Sequence, residues 1–318
     1  MRYVAMFFDF RGAASAQSAC YAGVPPIKDP NPTVQKIAVA MGDPSARRRR
    51  LIVNADDFGR SSEINQAVAQ AHDEGILTTA SLMVNCSHAA EAVEMARKRP
   101  RMGVGLHLVL LCGRSALKPT EIPNLVDSHY HFSDSPLGAG LKYFFRPGLR
   151  AEIKKEILAQ VQKLQVTGLN CDHLNGHLNI HLHPSILTTV IKVAKRSGIQ
   201  GIRLTKDPLT VNLAIAQGNW LYRLSHALIF AGLCLHARPR IRGEGLKSTQ
   251  RTFGLLQNAR VHEDYLVRLL SALPRGDTEI YAHPSTKEFR HELDALVSPR
   301  ARKLIQDRDI ELIRYQDL

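Results

Sequence analysis

The sequence predicts an α/β fold, a (β/α) barrel of about seven parallel strands wrapped by helices. Three observations lead there. From residue 51 onward, short apolar runs alternate with segments of helical period. Glycine or proline stands at many of the boundaries, and the residues with evident chemistry fall where strands end. An open doubly wound sheet is the runner-up, but no glycine-rich dinucleotide fingerprint follows the first strand.

Each element has its own signal. Leu51-Ile52-Val53 reads as a buried strand, and Ser61 to His72 as a helix with Ile64, Ala67, Val68 and Ala71 on one face, stopped near Gly75. Thr78 to Val84 is the next strand, Ala89 to Arg99 a helix ended by Pro100, and Gly103 to Leu108 a third strand. Residues 112–148 carry Pro119, Pro123, Pro136 and Pro147 and read as a long loop, a usual home for binding residues. Arg150 to Gln165 follows as a helix with Ile153, Ile157, Val161 and Leu164 on one face. Then come a strand-like segment Cys171 to His181, helix Ser185 to Ser197, strand Gly201 to Leu204 and a helical stretch from Val211 to Leu235. Helix His262 to Leu273, strand Thr278 to Ala282, helix Pro299 to Gln306 and strand Ile310 to Ile313 complete the order. Residues 49–318 thus form one expected domain with a helical insertion around 211–258. Residues 1–48, rich in Ala, Ser, Pro and Gly and without a period, read as an unstructured extension, with Met41 as an alternative start that N-terminal sequencing would test.

Composition narrows the setting. With 318 residues and 44 % hydrophobic content the chain can bury a large core, which excludes a disordered or disulfide-stapled class. Its five cysteines form no C-x-x-C pair, arguing against a structural zinc site and for a reducing, cytoplasmic compartment. Lys and Arg total 42 against 29 Asp and Glu, a formal charge of +13 that favours anionic surfaces. No nucleic-acid motif accompanies that charge. An acidic lipid surface accounts for clusters such as Arg238 to Arg242, and the expected location is cytoplasmic with peripheral contact at the inner membrane. The best apolar window, Leu221 to Leu235, is interrupted by Arg223, Ser225 and His226, so no membrane span is expected.

Four segments carry chemistry. Asn54-Ala55-Asp56-Asp57-Phe58-Gly59 places two carboxylates at the end of the first strand, where one can bind a cation while its diverging neighbour points at a water. The competing reading is a cap for the helix near Ser61. His107 ends the third strand. The segment from Asp172 to Pro184 holds four of the fourteen histidines, and strand period puts His173, Asn175, His177, Asn179, His181 and His183 on one face. One carboxylate and two imidazoles leave coordination positions open for water and substrate, as metal-assisted hydrolysis needs. His283, before Pro284 at another strand end, is placed to donate a proton to a leaving group, and Arg203 is a candidate for holding a substrate oxygen. For each lone residue a structural role competes.

Together, Asn54 to Gly59, Gly105-Leu106-His107, Asn175-Gly176-His177 with His181 and Pro184, Ile202-Arg203-Leu204, and Glu279 with His283-Pro284 resemble the YdjC-like carbohydrate deacetylase family. Arg251 to Leu255, helix His262 to Leu273 and Leu273-Pro274-Arg275-Gly276 are most similar to its hopanoid-biosynthesis-associated branch, HpnK. The resemblance implies a variant barrel like those of glycoside hydrolases and deacetylases, and removal of an acetyl group from an N-acetylated sugar with one divalent ion, Mg2+ or Zn2+. By position it assigns Asp57, His107 and His177 to the metal and Asp56 as base; His283 corresponds to the family's C-terminal His-Pro motif and is given the acid role here, and Arg203, His181 and Asn175 are expected at the substrate. The branch implies an N-acetylglucosaminyl hopanoid lipid as substrate, which fits an apolar stretch from Leu213 to Leu235. A soluble N-acetylglucosamine oligosaccharide, or a catalytically idle sugar-binding barrel, are the alternatives, and a homodimer is an open assembly. The sequence departs from the family at Asn175, where Asp is frequent, and at Gln250 and Arg251, where an acidic residue precedes the Phe-Gly step.

Overall fold

A computed structural model describes residues 48–216 and 218–318, so the extension expected before residue 48 lies outside the described residues. Within them run eight strands: β1 (Arg49–Phe58), β2 (Thr79–Leu82), β3 (Gly103–Leu108), β4 (Cys171–Gly176), β5 (Gly201–Ile202), β6 (Arg251–Phe253), β7 (Gly276–Ala282) and β8 (Ile310–Leu312). Ten α-helices lie between and beyond them: α1 (Ser62–Glu74), α2 (Ala89–Arg97), α3 (Pro136–Phe145), α4 (Arg150–Val166), α5 (Pro184–Arg196), α6 (Leu209–Ile215), α7 (Trp220–Gly243), α8 (Glu263–Ser271), α9 (Arg290–Leu296) and α10 (Pro299–Asp307).

Seven strands lie in the order β5-β4-β3-β2-β1-β7-β6, all parallel, because helices carry the chain back between them. β8 pairs with the first residues of β1, Arg49 to Leu51, while β2 takes the later ones from Asn54. The two ends of the sheet approach each other. Gly201 bridges to Lys247, and the Thr252 N–H donates to the Lys206 carbonyl at 3.0 Å. The expected parallel barrel is therefore present as a curved sheet whose β5 and β6 edges are joined through the segments beside them, Lys247 before β6 and Lys206 after β5.

The helices bury apolar stripes on the outside of this sheet. Ser61 caps α1 by accepting from the Ile64 N–H at 3.3 Å, an interaction of about 1 kcal/mol. Neither Asp56 nor Asp57 serves as that cap. On α4, Ile153, Ile157, Val161 and Leu164 are buried as their spacing predicts. The same helix buries Glu156 and Gln160, which take the N–H groups of Ala116, Leu117 and Val109 and so pin the start of the long loop.

Several boundaries differ from expectation. Residues 112–148 contain α3, whose Ser135 cap and Pro136 start were obscured by the surrounding prolines. The strand-like segment from Cys171 ends at Gly176, since Leu178 and Asn179 adopt left-handed φ values of 51° and 56°. The row of six polar residues on one face is thereby broken. The helical stretch divides into α6 and α7, with Asn219 in the left-handed region before Trp220. β6 and α9 were not anticipated as elements.

Inside the curved sheet the side chains are polar. Asn54, Ser81, His173, Asn175, Arg203 and Glu279 are all fully buried. Gly105 makes room for this packing, because a Cβ there would stand 2.4 Å from the His173 ring.

Candidate active site

The site begins with an extra residue. Between Ala55 and Phe58 the β1 ladder advances three residues while β2 advances two, a bulge at which Asp57 takes φ 63°. Strict alternation would point the neighbouring carboxylates to opposite faces, so the expected divergence does not occur. The bulge and the left-handed turn bring Asp57 to the same rim as Asp56. A left-handed non-glycine residue is strained, and such strain is found at functional sites. Gly59 follows at φ 92°, where the Leu82 side chain and Ala89 leave no room for a Cβ.

Asp57 Oδ1 lies 3.1 Å from His177 Nδ1 and 3.3 Å from His107 Nε2. Each of these three buried residues offers one ligand atom, all within 4.8 Å of one another, and among the described residues they are the group that could hold a metal ion. The donor chemistry fits a divalent cation: one carboxylate, two imidazoles, and an open side. His107 Nδ1 is 2.7 Å from Asn175 Oδ1, an acceptor, so a proton sits on Nδ1, and Nε2, which faces Asp57, is the ring atom that a metal would take. The other Asp57 oxygen, Oδ2, accepts from Arg60 at 2.8 Å. Burial alone would push Asp57 up, but His177 and His107 outweigh it and hold the carboxyl well below its usual range. For His107 burial pulls down, and the carboxylates of Asp56 and Asp57 raise it.

Asp56 is held differently. Arg203 Nη1 and Nη2 grip its two oxygens at 2.6 and 2.9 Å, and the amides of Asn54 and Asn175 donate to Oδ1 at 2.8 and 3.2 Å. Burial opposes ionisation here too, but the Arg203 guanidinium overrides it and keeps the carboxyl far below the ordinary range. Arg203 in turn donates from Nε to Glu279 at 2.9 Å and lies over the Tyr281 ring, 4.3 Å from its centre. Glu279 accepts from the Tyr315 hydroxyl at 2.6 Å. A fork of donors that binds two carboxylates is a task for Arg rather than Lys.

His283 follows Ala282, which pairs with Ala55, so the residue stands just past the end of β7, the strand beside β1. Its side chain is about one-fifth exposed and borders Tyr281 and Phe289. Three residues expected to touch substrate are instead interior. Arg203, Asn175 and His181 are each fully buried. Arg203 is committed to Asp56 and Glu279, Asn175 to His107 and Asp56, and His181 Nε2 donates to the Arg203 carbonyl at 3.0 Å. In this structure their polar groups are turned to protein partners. Gln250 and Arg251 lie at the start of β6, with Arg251 Nη1 donating to the Arg275 carbonyl, at the opposite end of the sheet from Asp57.

Sequence reasoning placed Asn54, Asp172 and His173 in chemistry-bearing segments without giving them a role, and passed over Ser81 and Arg60. Asn54 and Ser81 had a signal, being polar positions inside otherwise apolar strands. Arg60 had only its place three residues after Asp57.

Comparison with known proteins agrees with this architecture. The family model described as YdjC-like protein matches residues 50–307. A carbohydrate deacetylase of Geobacillus stearothermophilus is 34 % identical over 285 residues, covering 85 % of this chain and 98 % of the relative. A carbohydrate deacetylase of Thermoanaerobacter pseudethanolicus is 26 % identical over 265 residues, covering 82 % and 92 %. Among solved structures, an Enterococcus faecalis V583 protein provisionally named for cellobiose-phosphate cleavage superposes with a TM-score of 0.64 at 20 % identity, covering 85 % of this chain and 98 % of that one. With a family match across most of its length and a curved parallel sheet to carry it, the chain belongs to the YdjC-like protein family.

Proposed function

We propose that the protein is a metal-dependent carbohydrate deacetylase, cleaving the acetamide of an N-acetylated amino sugar to acetate and free amine. The observation that carries this reading is the pair of adjacent, differently held carboxylates: Asp57 grouped with His107 and His177, and Asp56 gripped by Arg203. The names of the full-length relatives support the substrate class.

Asp57, His107 and His177 would hold one divalent ion, Mg2+ or Zn2+, which when bound supplies Lewis acidity at the acetamide carbonyl. Asp56, kept ionised by Arg203, takes a proton from the water that attacks the carbonyl carbon. Its bidentate partner limits its basicity but fixes the direction of the accepting oxygen. As the carbon–nitrogen bond breaks, His283, at the end of the neighbouring strand β7, gives a proton to the departing amine. Arg60 steadies Asp57 through Oδ2 and leaves Oδ1 toward the imidazoles.

For the leaving sugar we favour a lipid-linked N-acetylglucosaminyl group of the hopanoid type, as in the HpnK branch, over a soluble oligosaccharide. The support is the apolar surface of α7, where Trp220, Leu221, Leu228 and Leu235 are exposed, together with Leu141, Phe144 and Phe145 of α3. Exposed Arg240 and Arg242 in the last turn of α7, Arg146 just after α3 and Arg150 at the start of α4 suit an acidic cytoplasmic membrane surface. No helix of the described residues is long and apolar enough to cross a membrane.

The test is acetate release from an N-acetylglucosamine conjugate, measured with metal content. Asp56→Asn is expected to lose about 10²- to 10⁴-fold in turnover while retaining its metal, and Asp57→Ala to lose both. Unchanged acetate release in Asp56→Asn overturns the assignment of the base, and an inert wild type with bound metal favours the idle sugar-binding barrel. Mass spectrometry of glycosylated lipids, with a gain of one acetyl unit when the gene is removed, tests the lipid substrate.

A further inference from the structure

Asp172 is a buried carboxylate that the mechanism does not use. Its Oδ1 contacts His173 Nδ1, while Oδ2 has no hydrogen-bond partner among the described residues. Gly103 is pressed against that oxygen, where a Cβ would come within 2.4 Å. An under-satisfied carboxylate in an interior is expensive, and its retention asks for a reason. The polar chain that starts there supplies one.

The direction of each bond follows from the one before it. Asp172 accepts the proton of His173 Nδ1, which leaves His173 Nε2 an acceptor, 2.9 Å from Ser81 Oγ. The Ser81 hydroxyl therefore donates to His173, the nearer of its two acceptors, the other being Asn54 Oδ1 at 3.3 Å. Its oxygen is then free to accept, and it receives the amide groups of Asn175 at 2.8 Å and Asn54 at 3.0 Å. With its nitrogen turned to Ser81 and Asp56, Asn175 presents its oxygen to His107 Nδ1 at 2.7 Å. Stacking on Tyr315, with ring centres 4.4 Å apart, keeps His173 from rotating out of line.

We propose that Asp172 is a positioning residue which, through His173, Ser81 and Asn175, sets the proton of His107 on Nδ1 and so keeps Nε2 available to a metal. The proposal rests on His107 being a ligand, as in the function proposed above. It gives the neutral Asn175 a purpose: an amide can donate to the base and accept from the ligand at once, which an ionised Asp cannot. If the Ser81 proton turned toward Asn175, the amide would reverse and His107 would be driven to carry its proton on Nε2.

The experiment uses the full chain with Zn2+ as probe and reads zinc affinity by chelator competition, together with the His107 Nδ1–H signal in 15N-resolved spectra of the zinc-loaded protein. Wild type is expected to show a His107 Nδ1–H protected from exchange. Asp172→Asn and Ser81→Ala should lose that protection and bind zinc about 10- to 100-fold more weakly, the usual effect of altering a group behind a ligand. Asp207→Asn is the control for mere burial of a carboxylate, because Asp207 bonds to Asn212, Gly254 and Leu256 and has no bond to this chain of residues. Its zinc affinity should not change. Wild-type zinc affinity and protection in Ser81→Ala overturn the proposal even if Asp172→Asn does not fold. So does a zinc-loaded wild type lacking a proton on His107 Nδ1. A wild type that takes up no zinc instead overturns the metal reading of the site.

Discussion

Between the interior of the curved sheet and the outer faces of α3 and α7, the usual placement of polar and apolar side chains is exchanged. Inside, charged and amide groups from β1, β4, the segment after β5 and β7 are buried, and nearly every one has a partner in the same chain. Outside, large apolar side chains such as Phe145, Leu228 and Leu235 are more than three-fifths exposed. Buried polar and exposed apolar groups are the informative exceptions to ordinary partition. Each region finds its completion in a different place. The interior satisfies itself and needs only a small ion and a substrate at its rim, whereas the helix faces expose a surface for which the described residues offer no cover.

The interior is most vulnerable at Arg203. Replacing it with Met leaves Asp56 and Glu279 as unpaired carboxylates in the interior, and truncating one member of a buried ion pair costs about 3–5 kcal/mol. Chemical denaturation is expected to show that loss in Arg203→Met. Arg203→Lys should recover part of the stability but little turnover, since a single ammonium cannot grip both Asp56 oxygens. Equal stability of wild type and Arg203→Met would show that the interior does not depend on its charge pairing.

Much of the fold was legible because the apolar stripes that the outer helices bury against the sheet obey simple periods. Ile153, Ile157, Val161 and Leu164 announced α4, and the alternation of strand and helix announced the curved parallel sheet. The inward face was legible only in part. Asp56, Asp57, His107 and His177 could be named as candidates, but the bulge that unites the two carboxylates is a register event between β1 and β2, and no local pattern encodes it. His181 and Asn175 were taken for substrate contacts because a polar residue in a site motif looks the same whether it meets solvent or a buried partner. α3 was hidden for a different reason: its prolines mark both loops and first helical turns.

His181 offers a finer test of how the interior is balanced. Its Nε2 has the Arg203 carbonyl, while Nδ1 has no partner among the described residues, and burial pushes its pKa down to about 3. The unfolded chain takes up this proton near the ordinary histidine value of about 6.5, so below that pH the unfolded state binds more protons than the fold. Stability is therefore full above about 6.5 and falls as pH is lowered toward 3. Between pH 6.5 and 4 this one group contributes a loss on the order of 3 kcal/mol, at about 1.4 kcal/mol per unit. His181→Gln retains a donor for the Arg203 carbonyl and cannot titrate. Urea unfolding of the metal-free protein over that range should show a shallower acid slope for the variant, and parallel slopes would mean that His181 is reached by protons without unfolding.

The outer faces should respond in the opposite way. Leu228 and Leu235 of α7 are exposed in the isolated chain, so replacing both with Ser removes little buried surface and should change unfolding free energy by no more than about 0.5 kcal/mol per site. Their burial in lipid would be worth up to about 1.5–3 kcal/mol each. If α7 rests on a membrane, partition onto vesicles rich in acidic phospholipid should weaken at least tenfold, at about 1.4 kcal/mol per factor of ten. Added salt should weaken it further through the flanking arginines. Neutral vesicles should bind less well than acidic ones in both proteins. Unaltered partition in the double variant would remove lipid as the cover, and sedimentation would then show whether a second copy of the chain takes that place. The acetate-release rate on a water-soluble conjugate should stay at the wild-type value throughout, because these side chains belong to the outer surface and not to the polar interior that holds the carboxylates.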